Sequence, residues 1–254
     1  MRLQMDEGYY FGIGAFETMA LEDGEPVFFD RHMDRLEEAV KYFGIFFERK
    51  TAEKMVWEYL DRNKEKLSGH DALKTAVSEK NFVISVRPNP YAGKEPDTKI
   101  RTAYSGIRRN ETSPLTYYKT LNYAENLMEK RKAAQQGFGE AVFLNGRGEI
   151  TEGTVSNVFF VKGGKLYTPP VSCGMLPGIM RAYICRSFQA EETVIRPEDI
   201  EMYDEMFLTN SLMGVMPVES LGEHRFHSLK TAKRLRSRCS PGHFQPALYV
   251  SFLS

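Results

Sequence analysis

The tightest constraint on this chain is the order of its apolar patterns: an alternating run, a tight turn, a second run and then, without a gap, an amphipathic helix. Gly14-Ala15-Phe16-Glu17-Thr18-Met19-Ala20-Leu21 alternates, Glu22-Asp23-Gly24-Glu25 turns, and Pro26-Val27-Phe28-Phe29 resumes the run. An Asp-Gly turn between two such runs predicts a hairpin. Asp30 is placed to cap a helix whose Met33, Leu36, Val40 and Phe43 recur at steps of three and four, with Gly44 ending it. The first half of the chain is thus expected to be built of a hairpin, helices and strands.

The remaining elements divide the chain in two. A second amphipathic helix is expected at about 52–66, and Phe82-Val83-Ile84-Ser85-Val86 reads as a strand stopped by Pro88-Asn89-Pro90, with 99–104 as its partner. These form a small N-terminal domain over 1–107. Polar and turn-forming residues at 111–114 mark a linker, taken as 108–118, before a larger domain over 119–254. In that domain we expect a helix at 124–136, a strand at 140–144 entering the turn Asn145-Gly146-Arg147-Gly148, and strands at 155–161 and 165–168 about Gly163-Gly164. Pro177 and Gly178 open a helix to about Gln189, a strand lies near 205–208, and a basic helix spans about 228–238.

Composition narrows the function classes. A chain of 254 residues with 42% hydrophobic and 27% charged residues buries a sizeable core, which excludes a fibre, a disordered tail or a disulfide-stapled miniprotein. Lys plus Arg and Asp plus Glu are 34 each, so neither nucleic acid nor an anionic membrane is an expected partner, and any bound anion must be held by a local site. The basic stretch after Glu223 reads as a solvated helix face. Cys173, Cys185 and Cys239 are odd in number and lack CxxC spacing, which points to reducing cytoplasm and to neither a disulfide framework nor a zinc site. No apolar run approaches the roughly 20 residues of a membrane helix, and no signal-peptide core follows Met1. The tail 240–254 packs on the body or at a subunit interface.

Four separated features suit one phosphorylated, nitrogen-containing cofactor. Lys119, in Tyr117-Tyr118-Lys119-Thr120-Leu121-Asn122-Tyr123, is either a surface lysine or a partly buried amine competent as a Schiff-base nucleophile. Glu152, followed by Gly153, is either an exposed turn residue or the partner of a pyridinium nitrogen. The N–H groups of Gly178, Ile179 and Met180 open a helix and can cup a phosphate. Arg35, one turn beyond His32, has the fork for a phosphate, or pairs with Asp34 or Glu38. His32 reads as structural.

In this order the strings resemble the class IV pyridoxal-phosphate-dependent aminotransferase family, which holds branched-chain aminotransferases, D-amino-acid aminotransferases and 4-amino-4-deoxychorismate lyases. The matching stretches are Phe11-Gly12-Ile13-Gly14-Ala15-Phe16-Glu17-Thr18, His32-Met33-Asp34-Arg35-Leu36, 119–123, 151–159, 176–181 and 209–218. The resemblance implies a two-domain α/β fold with mixed sheets, that of a fold-type-IV enzyme, with pyridoxal 5'-phosphate at the domain interface and a homodimer acting on a small-molecule substrate. It makes Lys119 the Schiff-base lysine, Glu152 the pyridine partner, Arg35 the phosphate arginine, and Tyr123 the neighbour of the phenolic oxygen. Leu176 packs on the ring; Gly178, Ile179 and Met180 form the cup, where Met180 offers only its backbone N–H; Ser211 keeps a hydroxyl for the phosphate. Ser156, Asn157 and Asn210 fall within the same cofactor-binding strings. The resemblance also implies one or two more strands ahead of Phe11 than the ten residues found there, so the small domain's edge is expected to be open or covered by a partner.

Two strings lean toward the lyase, which works in folate biosynthesis: Gly178-Ile179-Met180-Arg181, and Thr209-Asn210-Ser211-Leu212-Met213-Gly214-Val215-Met216-Pro217-Val218. Val86-Arg87-Pro88 instead resembles the carboxylate arginine of branched-chain transaminases, and Arg87 is either the substrate anchor that a two-carboxylate substrate calls for or a structural ion pair at a strand end. The expected reaction converts 4-amino-4-deoxychorismate to 4-aminobenzoate and pyruvate, with transfer to branched-chain or D-amino acids as the alternative.

Overall fold

The computed structural model describes residues 3–95 and 97–239 and divides the chain into two compact units. The expectation for the tail 240–254 lies outside the described residues. The first unit holds the residues up to Gly93 together with Tyr118–Tyr123; the second holds Lys94–Tyr117 and residues 124–239. No described helix is long and apolar enough to cross a membrane.

In the first unit, α1 (Glu7–Phe11) precedes β1 (Ala15–Glu22) and β2 (Glu25–Pro26), the expected hairpin. Then come α2 (Phe29–Tyr42), α3 (Arg49–Arg62), β3 (His70–Val77) and β4 (Phe82–Pro88), and the four strands form one antiparallel sheet in the order β2-β1-β3-β4. Strand side chains alternate between faces, and on β1 Ala15, Met19 and Leu21 pack under the helices. Met33, Leu36, Ala39 and Val40 of α2 join Ala15, while Val56 and Leu60 of α3 join Met19 and Leu21. Asp30 does not cap α2: it sits in the first turn, and Phe28, at φ 58°, holds the cap position without a side-chain bond. The tight exit from the hairpin, not a capping side chain, sets where this helix begins.

The second unit contains β5 (Ile100–Arg109), α4 (Ala124–Gln135), β6 (Glu140–Asn145), β7 (Ile150–Gly153), β8 (Asn157–Lys162), β9 (Lys165–Thr168), α5 (Ile179–Phe188), β10 (Glu191–Glu192), β11 (Glu205–Asn210), β12 (Gly214–Leu221), β13 (His224–Arg225) and α6 (Lys230–Arg238). Its sheet runs β10-β9-β8-β11-β12-β5-β6-β7, with β13 beside β12, and an extra β7–β8 pairing closes β8, β11, β12, β5, β6 and β7 into a ring. The closing contact pairs Glu152 with Asn157. Pairings of β5 with β6 and β12 are parallel, and α4 is the crossover between β5 and β6.

This topology corrects one expectation. The strand foreseen at 99–104 does not pair with β4, so the first unit ends at Gly93, not at residue 107. Proximity in sequence favoured β4, whereas the partners lie on β6 and β12, on the far side of a helix and of most of the second unit. The expected start of the larger domain moves as well, because Tyr118–Tyr123, with Lys119, clusters with the first unit.

Candidate active site

Lys119 is positioned by β1. Ala15 bridges Thr120, the Phe16 N–H donates to the Lys119 carbonyl at 2.9 Å, and the Leu121 N–H donates to the Gly14 carbonyl at 2.9 Å. A Cβ on Gly14 would stand 2.3 Å from the Val77 carbonyl oxygen and 2.7 Å from Leu121, so glycine is what permits this approach. The half-buried Lys119 carries its Nζ 4.4 Å from the Phe16 ring centroid and 4.9 Å from that of Tyr123, and the two rings meet edge to face at 5.1 Å. A second ammonium, Lys74 Nζ, lies 4.5 Å from the same Phe16 ring. The register pairs Thr18 with Lys74 and Ala72 with Arg87, which puts Phe16, Lys74 and Arg87 on the sheet face opposite the helices. Partial desolvation pulls the Lys74 amine below the ordinary lysine value, and the Arg87 charge pulls it further. Arg87 is exposed, and its Nη1 donates to the Pro88 carbonyl at 3.4 Å.

On the helix-covered face, between Ala15 and Met19, stands a carboxylate. Glu17 is fully buried and accepts from Arg35 Nε at 2.7 Å, from Arg35 Nη2 at 2.8 Å and from His32 Nδ1 at 2.6 Å. Arg35 thus reaches across to the strand, because His32 and Arg35 lie three apart on the α2 face that meets β1. Burial opposes the Glu17 charge, but Arg35 and His32 outweigh it and hold the carboxyl well below the usual range. Burial pushes the His32 ring toward its neutral form, against the pull of Glu17.

In the second unit, Glu152 is buried at the end of β7, not exposed in a turn. Its Oε1 lies 3.1 Å from Arg109 Nη2, and its Oε2 accepts the Leu176 N–H at 3.1 Å. Arg109 also donates to Glu125 at 3.1 Å and stacks 4.1 Å over the Phe143 ring, so its fork is fixed from three sides. Gly178 is the N-cap of α5 and has no side chain with which to cap it, and among the described residues no side-chain cap bond is made at this end, where the first-turn N–H groups are the donors. Ile179 and the buried Met180 begin that turn.

Asn157 Nδ2 donates to the Leu176 carbonyl at 3.0 Å, and its Oδ1 lies so near Gly178 that an added Cβ would stand 1.8 Å away. Gly178→Ala forces these groups apart and is expected to cost about 1–3 kcal/mol. A denaturant midpoint lowered at unchanged slope checks this.

The expected site residues thus divide. Arg35, Arg87, Lys119 and Tyr123 belong to the first unit; Glu152, Ser156, Asn157, Leu176, Gly178, Ile179, Met180, Asn210 and Ser211 belong to the second. Three polar side chains read as cofactor ligands serve the protein's own backbone or carboxylates. Asn210 Oδ1 accepts from the Leu212 and Met213 N–H groups while its Nδ2 donates to the Val155 carbonyl, which builds the turn from β11 into β12 about Ser211. Ser156 donates to Glu140 at 3.3 Å, and Asn157 is committed to Leu176. Sequence reasoning missed Glu17, Lys74 and Arg109. For Glu17 the signal was present, a charged residue in phase with Ala15, Met19 and Leu21.

Comparison with known proteins gives a consistent result. Residues 14–221 match the model of the amino-transferase class IV family. The chain is 28% identical over 243 residues to the aminodeoxychorismate lyase of Bacillus subtilis (strain 168), covering 88% of this chain and 82% of that protein. It is 28% identical over 231 residues to the D-alanine aminotransferase of Bacillus licheniformis, covering 85% and 81%. The crystal structure of 4-amino-4-deoxychorismate lyase from Pseudomonas aeruginosa superposes with a TM-score of 0.82 at 24% identity, covering 94% of each chain, which is a likeness of fold.

Proposed function

Because the chain belongs to the amino-transferase class IV family, whose members are pyridoxal-phosphate-dependent enzymes, we propose that it is the lyase that converts 4-amino-4-deoxychorismate to 4-aminobenzoate and pyruvate. The observation that carries this reading is the pair of cations, Lys74 and Arg87, on the sheet face where Lys119 meets Phe16. A substrate with two carboxylates calls for charge of this kind beyond what holds a phosphate. The likeness to the Bacillus subtilis lyase supports the same choice.

The donor set fits pyridoxal phosphate: an amine for its aldehyde, a buried carboxylate for its pyridine nitrogen, and a guanidinium and an uncapped helix N-terminus for its phosphate. When bound, the cofactor supplies an electron-poor pyridine that acidifies the carbon bearing the substrate's amino group. Lys119 Nζ takes the proton from that ring carbon as the bond from the adjacent carbon to the enolpyruvyl oxygen breaks, and the ring becomes aromatic. Lys119 then delivers a proton to the methylene carbon of the departing enolpyruvate, giving pyruvate. Glu152, braced by Arg109 and the Leu176 N–H, holds the proton on the pyridine nitrogen. Tyr123 and Phe16 flank the amine, Lys74 and Arg87 receive the carboxylates, and Leu176 packs on the cofactor ring. Arg35, the N–H groups of Gly178, Ile179 and Met180, and Ser211 hold the phosphate.

Amino transfer is the second reading, favoured by the likeness to the D-alanine aminotransferase and compatible with the same Lys119 and Glu152. The experiment gives the purified protein and pyridoxal phosphate 4-amino-4-deoxychorismate without a keto acid, and separately pairs of D- or branched-chain amino acids with keto acids. Stoichiometric pyruvate and 4-aminobenzoate in the first vessel is the expected result. Turnover confined to the second makes the protein an aminotransferase. We further assign it to the cytoplasm, where its three free cysteines suit a reducing setting, and to a homodimer, which light scattering on the eluting protein tests.

A further inference from the structure

Glu17 is an expensive residue where it stands. Its neighbours on the same face of β1 are apolar core, and an ion pair buried in such a place seldom stabilises a fold more than well-packed apolar side chains would. Its two bonds to Arg35 use one whole edge of the guanidinium, Nε and Nη2, and fix the plane and direction of the fork. His32 fixes Glu17 in turn. A carboxylate oxygen can only accept, so His32 Nδ1 carries the hydrogen, and the lone pair is left on Nε2, which is buried and has no hydrogen-bond partner among the described residues. With Nε and Nη2 engaged by Glu17, the opposite edge of the guanidinium, through Nη1, is turned away from the carboxylate.

We propose that Glu17, backed by His32, is a positioning residue that aims the outer edge of Arg35 at the cofactor's phosphate, a role that rests on the assignment of Arg35 to that phosphate. Two effects of Glu17 oppose each other. Its charge offsets that of Arg35 and weakens attraction for any anion, whereas its bidentate grip removes the rotamer freedom that an arginine otherwise loses on binding. A fork presented at the right angle to a dianion gains charge-assisted bonds that a mobile one forms only at an entropic cost, and the inference is that the grip outweighs the offset.

The test compares the dissociation constants of pyridoxal phosphate and of pyridoxal, which lacks the phosphate, by absorbance titration of wild type, Glu17→Gln, Glu17→Asp and Arg35→Ala. In Glu17→Gln the constant for pyridoxal phosphate rises by about tenfold or more while that for pyridoxal stays within about twofold, since charge-assisted bonds of this kind are worth factors of that order. Glu17→Asp keeps the charge but draws the fork back, so the same selective loss is expected in smaller measure, and it decides the matter if Glu17→Gln does not fold. Equal weakening of both ligands would make Glu17 purely structural, and unchanged or tighter pyridoxal phosphate binding would mean that charge offset dominates; either overturns the proposal. If Arg35→Ala shows no selective loss, the assignment of Arg35 to the phosphate fails. If it does and both Glu17 variants do not, only the role of Glu17 fails.

Discussion

Lys119→Ala lowers the turnover of 4-amino-4-deoxychorismate by at least about 10³-fold while leaving the fold intact. The rate loss is large because one amine is asked to do three things: hold the cofactor, remove the ring proton and protonate the departing enolpyruvate. General acid–base assistance alone contributes about 10²–10⁴. The structural loss is small because the contact that positions this segment, Phe16 N–H to the Lys119 carbonyl, is made by the backbone and survives in alanine. What disappears is the cation–π contact with Phe16 and Tyr123, worth about 0.5–1 kcal/mol at a partly exposed site. Rapid-mixing measurement of pyruvate release gives the rate, and a melting curve gives the fold. Borohydride treatment should fix pyridoxal phosphate covalently to the wild type and not to the variant. Turnover within tenfold of wild type would remove Lys119 from the reaction.

How much of this was legible in the sequence depends on how local each cause is. The hairpin through Asp23-Gly24 and the apolar stripe of α2 are set by residues adjacent in the chain, and both stand as read. The cap of α2 was misread because a phenylalanine in a left-handed conformation at position 28 is imposed by the hairpin and has no preference of its own. The partner of β5 was misread for a related reason: parallel pairing joins strands far apart in sequence and leaves no turn signal between them. The site shows the same division. Tyr123, four residues from Lys119, was visible as an aromatic neighbour, whereas Phe16 reaches the amine only because Gly14 admits the 118–123 segment beside β1. Arg35 was visible as a phosphate-type arginine, but its partner lies 18 residues away on a strand. Alternation places Glu17 in the core row and cannot name what neutralises it. Asn210 fits its motif by residue type, and the fold of the turn from β11 into β12 consumes both ends of its amide.

The paired change Lys74→Ala with Arg87→Ala raises the KM for 4-amino-4-deoxychorismate by about 10²-fold and changes kcat by no more than a few-fold. Each cation–carboxylate contact is worth roughly 1.5–3 kcal/mol when partly desolvated, and the exposure of both side chains argues for the lower end. The two single effects should not sum to the double one, because the residues are diagonal neighbours on adjacent strands and their like charges oppose each other before any anion arrives. Removing Arg87 relieves Lys74 of that repulsion and returns its amine toward the ordinary lysine value. The lowered amine also sets a sign for pH: as pH rises through it the ammonium is lost, so the wild-type KM climbs on the alkaline side, and that limb moves to higher pH in Arg87→Ala and vanishes in Lys74→Ala. A ligand with a single carboxylate, such as 4-aminobenzoate measured as a competitive inhibitor, can engage only one of the two cations and should lose far less affinity than the dicarboxylate. Equal losses for both ligands, or a fall in kcat with KM unchanged, would show that the pair does not read the second carboxylate, and with it would go the observation that favours the lyase over the aminotransferase.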